Sequence, residues 1–281
     1  MYDQHELERV LALQRESFLL QGDPSLQERS ARTSRLALAL LENIDALSDA
    51  LCADYGWRAA VVSKAFEGLS WVQDIEQSLH ELAQWMAPRE VPGGFVQAKP
   101  KGVVGVMGAW NFPLALTLQP AMAALAAGNR VMLNFPEQHP RTGALLREIV
   151  CARFDESEVA VFNGDIDTAR QFSALRLDHL FFTGSPQVGA LVSQAAAKDL
   201  VPVTLELGGK SPVVVARDAD LLLAATRIVS SRLLNGGQVC LCPDYVFIPD
   251  EKFEEFVGHL KARIRSIAGD YLHNPAIVPM R

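Results

Sequence analysis

From residue 103 onward the chain alternates short apolar, β-branched runs with helical stretches, and no other feature limits its fold as much. VVGVM (103–107), NRVMLN (129–134), VAVFNG (159–164), DHLFFTG (178–184) and VPVTLEL (201–207) read as strands. Between them PLALTLQPAMAALAAG (113–128), TGALLREIVCARF, TARQFSAL and SPQVGALVSQAAAKD read as helices. Strands this apolar must be covered on both faces, which in a strand–helix repeat means a parallel, doubly wound sheet of the Rossmann type. Sheets of this kind bind ligands beyond the carboxyl ends of their strands. That rule brings four loops together, at 108–113, 134–140, 183–189 and 206–210.

The ninety residues before this pattern read as helical. Ser25 and Glu28 form an S-x-x-E capping box. The run that follows puts Leu40, Ile44, Leu47 and Leu51 on one helical face, and a second helix does the same with Val72, Ile75, Leu79, Leu82 and Met86. Both stripes read as core-facing. Pro88 and VPGG (91–94) close the helical region, and FVQAKPKG reads as an irregular or edge strand broken by Pro100. After the fifth strand come SPVVVA (211–216), a helix at 220–234, a cysteine segment, the strand DYVFIP and a last helix near 250–266. The expected division is an N-terminal helical and cofactor-binding part over 1–209 and a second, incomplete α/β part over 210–281.

Hydrophobic residues make up 49% of the 281 and charged residues 21%, the composition of a soluble globular chain with a sizeable core. A net charge of −7 argues against nucleic acid or anionic lipid as the main partner. The acidic start MYDQHELERV lacks the apolar segment of a signal peptide, and the apolar stretch ALTLQPAMAALAAG is short and interrupted by Gln119 and Pro120. No membrane span is expected, and the cytoplasm is the expected compartment. Four cysteines, Cys52, Cys151, Cys240 and Cys242, are too few for a disulfide scaffold. Cys-x-Cys without further ligands at suitable spacing is a weak metal signal, so no metal is expected.

Four motifs fall in or near the converging loops. FFTGSPQVG sets Gly184 and Gly189 between a strand and a helix, where a helix N-terminus can receive a pyrophosphate; a plain turn is the ordinary alternative. VTLELGGK puts Glu206 near the end of an apolar strand, where desolvation would suit it to general-base work; a pair with Lys210 is the alternative. GAWNFP puts Asn111 after a buried strand, as an oxyanion donor or as the holder of a local turn. GQVC puts Cys240 after a glycine-rich turn, as a nucleophile or as an inert buried thiol; Cys242 is taken as the inert one.

In order, GAWNFP, FFTGSPQVG, VTLELGGKSP and NGGQVCLCPDY resemble the NAD(P)-dependent aldehyde dehydrogenase superfamily, and within it the branch of fatty and coniferyl aldehyde dehydrogenases, which reads GQTC-x-APDY. The resemblance extends over the chain to about residue 265. It implies that Cys240 is the nucleophile, Glu206 the general base and Asn111 the oxyanion donor. It implies that Gly184, Ser185 and Gly189 form the dinucleotide loop and that Glu137 contacts the adenosine ribose. Trp110 and Phe112 would line the substrate side, with Trp110 and Leu207 bordering the cofactor. The implied reaction is oxidation of an aldehyde, hydrophobic or of the aromatic coniferyl type, to its acid. NAD is the expected cofactor rather than NADP, because an acid at 137 disfavours a 2′-phosphate. The implied partners are a small-molecule aldehyde and further copies of the chain.

Two departures from the pattern set further expectations. Asn134 stands where the family has a lysine that contacts the ribose, so NAD binding should be weakened. The chain also stops before the family's Glu-x-Phe-Gly-Pro motif and its C-terminal oligomerisation strand, and HNPAIVPMR no longer matches. A truncated catalytic part would leave apolar surface exposed. An impaired homologue serving as a binding or regulatory subunit, or serving no function, is the competing reading. Residual thiol-esterase activity, which needs no nicotinamide, is a third. Cys242 stands where relatives have alanine and is either neutral or a trap for oxidised Cys240.

Overall fold

Alternation along the central strands decides which helices lie on which side. In the computed structural model, which describes residues 2–269 with Asn274 and Val278, strand β3 (Val103–Met107) is buried throughout. Val104 and Val106 enter one apolar cluster, and Val103 and Met107 enter another on the opposite face. The first cluster takes its cover from α2 (Leu26–Glu42), α3 (Ile44–Tyr55), α6 (Pro113–Ala126) and α7 (Pro140–Cys151). The second takes it from α1 (Gln4–Gln21), α8 (Ile166–Ser173) and α9 (Pro186–Ala197). Each fully buried Leu, Val or Phe contributes roughly 1.5–3 kcal/mol, so a sheet clad on both faces is the form these strands favour.

The sheet has five parallel strands in the order β5-β4-β3-β6-β7, formed with β4 (Arg130–Asn134), β5 (Val159–Phe162), β6 (His179–Gly184) and β7 (Val203–Leu207). Met107 pairs with Asn134 on one side and Phe182 on the other, and Gly184 pairs with Leu207. The order reverses at β3, which is where a doubly wound sheet opens a crevice. A second, small parallel sheet pairs β8 (Ser211–Val214) with β9 (Pro243–Phe247). It packs on α10 (Leu221–Leu233) and α11 (Phe253–Ala268) through Val215, Leu221, Ala225 and Phe256.

Several expectations change. The helical run with Leu40, Ile44, Leu47 and Leu51 is two helices, because Asn43 ends α2 and begins α3, its side-chain amide donating to the Ala39 carbonyl. The leucines still meet in one cluster, since the break reorients the chain without removing them from the core. The stripe on α5 (Val72–Met86) buries only Leu82 fully, the remainder being half-covered at the rim of the fold. A helix α4 (Ala60–Ser63) and a π-helical turn, Lys64–Leu69, precede it. Pro88 and VPGG do close the helices, but by forming an antiparallel hairpin of β1 (Arg89–Val91) and β2 (Gly94–Val96), with Gly93 at φ +82° in the turn. FVQAKPKG is strand only as far as Val96. Pro120 lies inside α6 without ending it. No described helix is long and apolar enough to cross a membrane. The HNPAIVPMR stretch, Asn274 and Val278 apart, lies outside the described residues.

Candidate active site

Asn111 sits half-buried in the loop between β3 and α6. Its Nδ2 donates to the carbonyl oxygen of Gln238 at 3.0 Å. The contact is with a distant loop and not with its own backbone, which sets aside the local-turn alternative. An amide nitrogen has two hydrogens, so the one held by Gln238 fixes the plane of the amide and leaves the other for a ligand. Asn235 reciprocates, its Nδ2 donating to the Asn111 carbonyl at 3.0 Å.

The segment that provides Gln238 turns sharply. Asn235, Gly236 and Gly237 stand at φ +50°, +67° and +79°, three left-handed residues in succession. A non-glycine residue at such an angle is costly, and strain of this kind gathers at functional sites when surrounding contacts enforce it. Here the buried Asn235 is held by the bonds to Asn111, and Gln238 Nε2 donates back to the Asn235 carbonyl at 2.8 Å. The turn delivers Cys240 exposed and Cys242 buried, the latter with its sulfur 3.6 Å from Arg232 Nη1. One thiol is thus accessible and the other enclosed. Among the described residues no group of acidic, His or Cys side chains could hold a metal ion.

Both loops open into one cleft of about 900 Å³ at the carboxyl ends of the central strands. Asn111, Glu206 and Cys240 line it, together with Trp110, Leu207, Glu137, Gly184 and Ser185. This size is within the range of small-molecule and cofactor sites. Ser185 caps α9, its Oγ accepting the Val188 N–H at 3.2 Å, so the positive end of that helix faces the cleft. Gly189 lies just behind: a Cβ there would stand 2.8 Å from Leu207 Cδ2, so its lack of a side chain lets α9 settle on the end of β7.

A match over residues 2–279 to the model of the aldehyde dehydrogenase family agrees with this arrangement. The chain belongs to that family. It is 40% identical over 276 residues to a coniferyl aldehyde dehydrogenase of Pseudomonas sp., covering 96% of this chain and 57% of that protein. The structure of a substrate-bound AldH of Staphylococcus aureus superposes with a TM-score of 0.90 at 28% identity, over 99% of this chain and 62% of that one. An aldehyde dehydrogenase of Mycobacterium tuberculosis complexed with NAD+ superposes with a TM-score of 0.81 at 29% identity, over 95% of this chain and 57% of its own. The chain therefore spans rather more than half the length of these relatives.

Four details of this aldehyde dehydrogenase-family site differ from expectation. Glu206 is exposed on the edge strand β7, so the burial that would desolvate it is missing. Lys210 does not pair with it but with Asp244, at 3.3 Å. Phe112 is not among the cleft-lining residues; its ring packs on Arg58 and Phe66. Asn134 is buried at the end of β4 and stops short of the cleft, which the neighbouring Pro136, Glu137 and Gln138 line. Sequence reasoning missed Gln238 and Asn235 as partners of Asn111. The only signal for them was the NGG run, whose successive left-handed residues could have marked the turn as enforced.

Proposed function

We propose that this chain carries the chemistry of aldehyde oxidation with a nicotinamide cofactor. The observation supporting it is the convergence of Cys240, Asn111 and Glu206 on one cleft shared with Glu137 and the Ser185-capped helix. Cys240, as thiolate, attacks the aldehyde carbonyl carbon, and the resulting oxyanion is held by the free N–H of Asn111 and the Cys240 backbone N–H. Loss of hydride leaves a thioester on Cys240, and Glu206 takes a proton from the water that hydrolyses it to the acid.

The residues suit a dinucleotide. The N-terminal end of α9 offers N–H groups to a pyrophosphate, and half-buried Glu137 offers an acceptor to ribose hydroxyls. Bound there, the cofactor supplies the hydride acceptor. We take NAD over NADP because the Glu137 carboxylate would repel a 2′-phosphate. Residues 1–209 are taken as the helical and cofactor-binding part and those from 210 onward as the part that carries Cys240, consistent with the separate sheets. Trp110 and Leu207 in the cleft wall favour an apolar or aromatic aldehyde, as does similarity to a coniferyl aldehyde dehydrogenase. Self-association is the expected state, with the exposed Phe95 and Val96 of the hairpin available to it.

The deciding experiment is NADH production by the purified chain across aliphatic and aromatic aldehydes, with Cys240→Ala alongside. Turnover that disappears in the variant is expected. A folded parent that makes no NADH, or a variant that still does, would refute the proposal. The exposure of Glu206 favours the second reading, an impaired homologue acting through binding. That reading requires aldehyde or NAD to bind without turnover.

A further inference from the structure

The peptide units carrying Asn111 are gripped from beneath by a buried polar network that does not reach the cleft. The Tyr55 hydroxyl, at the end of α3, lies 2.6 Å from the Trp110 carbonyl oxygen and 2.8 Å from that of Asn111, and donates to the pair. His139 Nε2 lies 2.7 Å from the same Trp110 oxygen. A carbonyl only accepts, so Nε2 carries the proton in this contact. The two rings lie against each other, centroids 4.7 Å apart, and both residues are buried. Arg58 stacks between Tyr55 and Phe112, at 4.8 and 5.0 Å, and pairs with Glu67, which is as fully enclosed as itself. Glu67 in turn accepts the Ala115 N–H at 2.9 Å, capping α6 where Phe112 offers no side-chain cap.

The carbonyls of residues 110 and 111 are therefore held by donors from three other segments, counting Asn235. A rigid peptide fixes where its side chain starts, and Gln238 then fixes where the amide points. We propose that Tyr55 and His139 are positioning residues for Asn111, holding its backbone so that one amide N–H stays on Gln238 and the other is presented to an oxyanion at Cys240. The inference rests on the reading of Asn111 as oxyanion donor. His139 stands two residues beyond Glu137, so the same contact also ties this loop to the cofactor-side loop.

Two reactions of Cys240 separate positioning from general damage, and neither needs the cofactor. With p-nitrophenyl acetate the thiolate forms an S–C bond at the carbonyl, passes through a tetrahedral oxyanion, and expels p-nitrophenolate as the C–O bond breaks. With iodoacetamide the thiolate displaces iodide at a saturated carbon and no oxyanion forms. Rates of both are measured for the parent and for Asn111→Ala, Tyr55→Phe, His139→Leu and His139→Gln, with Cys240→Ala to confirm the site.

Asn111→Ala should slow acylation about 100-fold, the usual cost of one oxyanion donor. Tyr55→Phe and His139→Leu should each slow it about tenfold with alkylation unchanged, and His139→Gln, which retains an N–H, should recover most of the rate. If Asn111→Ala slows acylation while Tyr55→Phe and His139→Leu do not, the inference is wrong and the oxyanion reading stands. Equal slowing of both reactions in those variants would likewise overturn it, as a merely structural effect. If the parent is not acylated at Cys240, or Asn111→Ala has no effect, the oxyanion reading falls and the inference with it. Should His139→Leu not fold, Tyr55→Phe decides, since it removes one oxygen from an intact ring.

Discussion

Single atoms decide how the Asn111 loop begins. A Cβ at Gly108 would come within 1.9 Å of Thr117 Oγ1 and 3.1 Å of its Cβ, and Thr117 is fully enclosed in α6. With Thr117 enclosed, either it or the loop must shift to admit the methyl group, so Gly108→Ala should destabilise the fold by about 1–3 kcal/mol. Urea unfolding of the single and double variants checks the cause: Thr117→Ala should restore most of the loss, and two additive losses would show that the clash is not its origin. Asp23 illustrates a different residue-scale effect. Its hydrogen bond from Lys99, helped by the charge of the buried Arg29, holds its carboxyl below the ordinary aspartate value of 3.8. A folded value below the unfolded one stabilises the fold above 3.8 and ceases to do so as the pH falls through the depressed value. Asp23→Asn should therefore unfold at lower urea than the parent at neutral pH, with the two midpoints converging in acid.

At the scale of elements the sequence was legible where periodicity ran unbroken. The five central strands fall where their apolar runs stand, because a strand buried on both faces has little choice of partner. The capping box predicted from Ser25 and Glu28 is formed on both sides. Periodicity failed at Asn43, where one polar residue divides a continuous apolar stripe, and at the β1–β2 hairpin, where VPGG makes a turn between strands too short to show alternation. The site was legible as a set of loops and motifs, whereas its internal bonds were not. Asn111 to Gln238 and Tyr55 to Trp110 join positions far apart in the chain, and nothing local in either partner announces the other. Helix α9 offers a check on one legible element. Removing its cap with Ser185→Ala should cost about 1 kcal/mol of stability, read from urea unfolding, because the Val188 N–H loses its acceptor. NAD affinity should fall along with it if that helix end receives the pyrophosphate. Unchanged affinity in the destabilised variant would separate the helix from cofactor binding.

Across the whole molecule the two sheets are unequally supported. The large sheet is clad on both faces, while the β8–β9 sheet with α10 and α11 fully encloses only Val215, Leu221, Ala225 and Phe256 among its clustered apolar side chains. Its outer face leaves Val214 77%, Phe247 58% and Tyr245 45% exposed. With the buried Val229 and Cys242 added, these are still few apolar side chains to offset the cost of ordering the backbone they belong to. Hydrogen bonds from Asn111 and Asn235 join this part to the large one, so the Cys240 side of the cleft depends on the weaker partner. We predict that the two parts unfold separately. All four tryptophans, at 57, 71, 85 and 110, lie in the first part, whereas Cys242 is a buried reporter in the second. In a Cys240→Ala background, thiol labelling of Cys242 should rise at a lower urea concentration than the change in tryptophan fluorescence. Coincident midpoints would mean that the bonds at Asn111 and Asn235, with Val278 buried in the first apolar cluster, couple the parts into one cooperative unit. An aldehyde or NAD that bridges the cleft should then raise the Cys242 midpoint toward the tryptophan one, because a ligand held by both parts stabilises the weaker by binding only when it is folded.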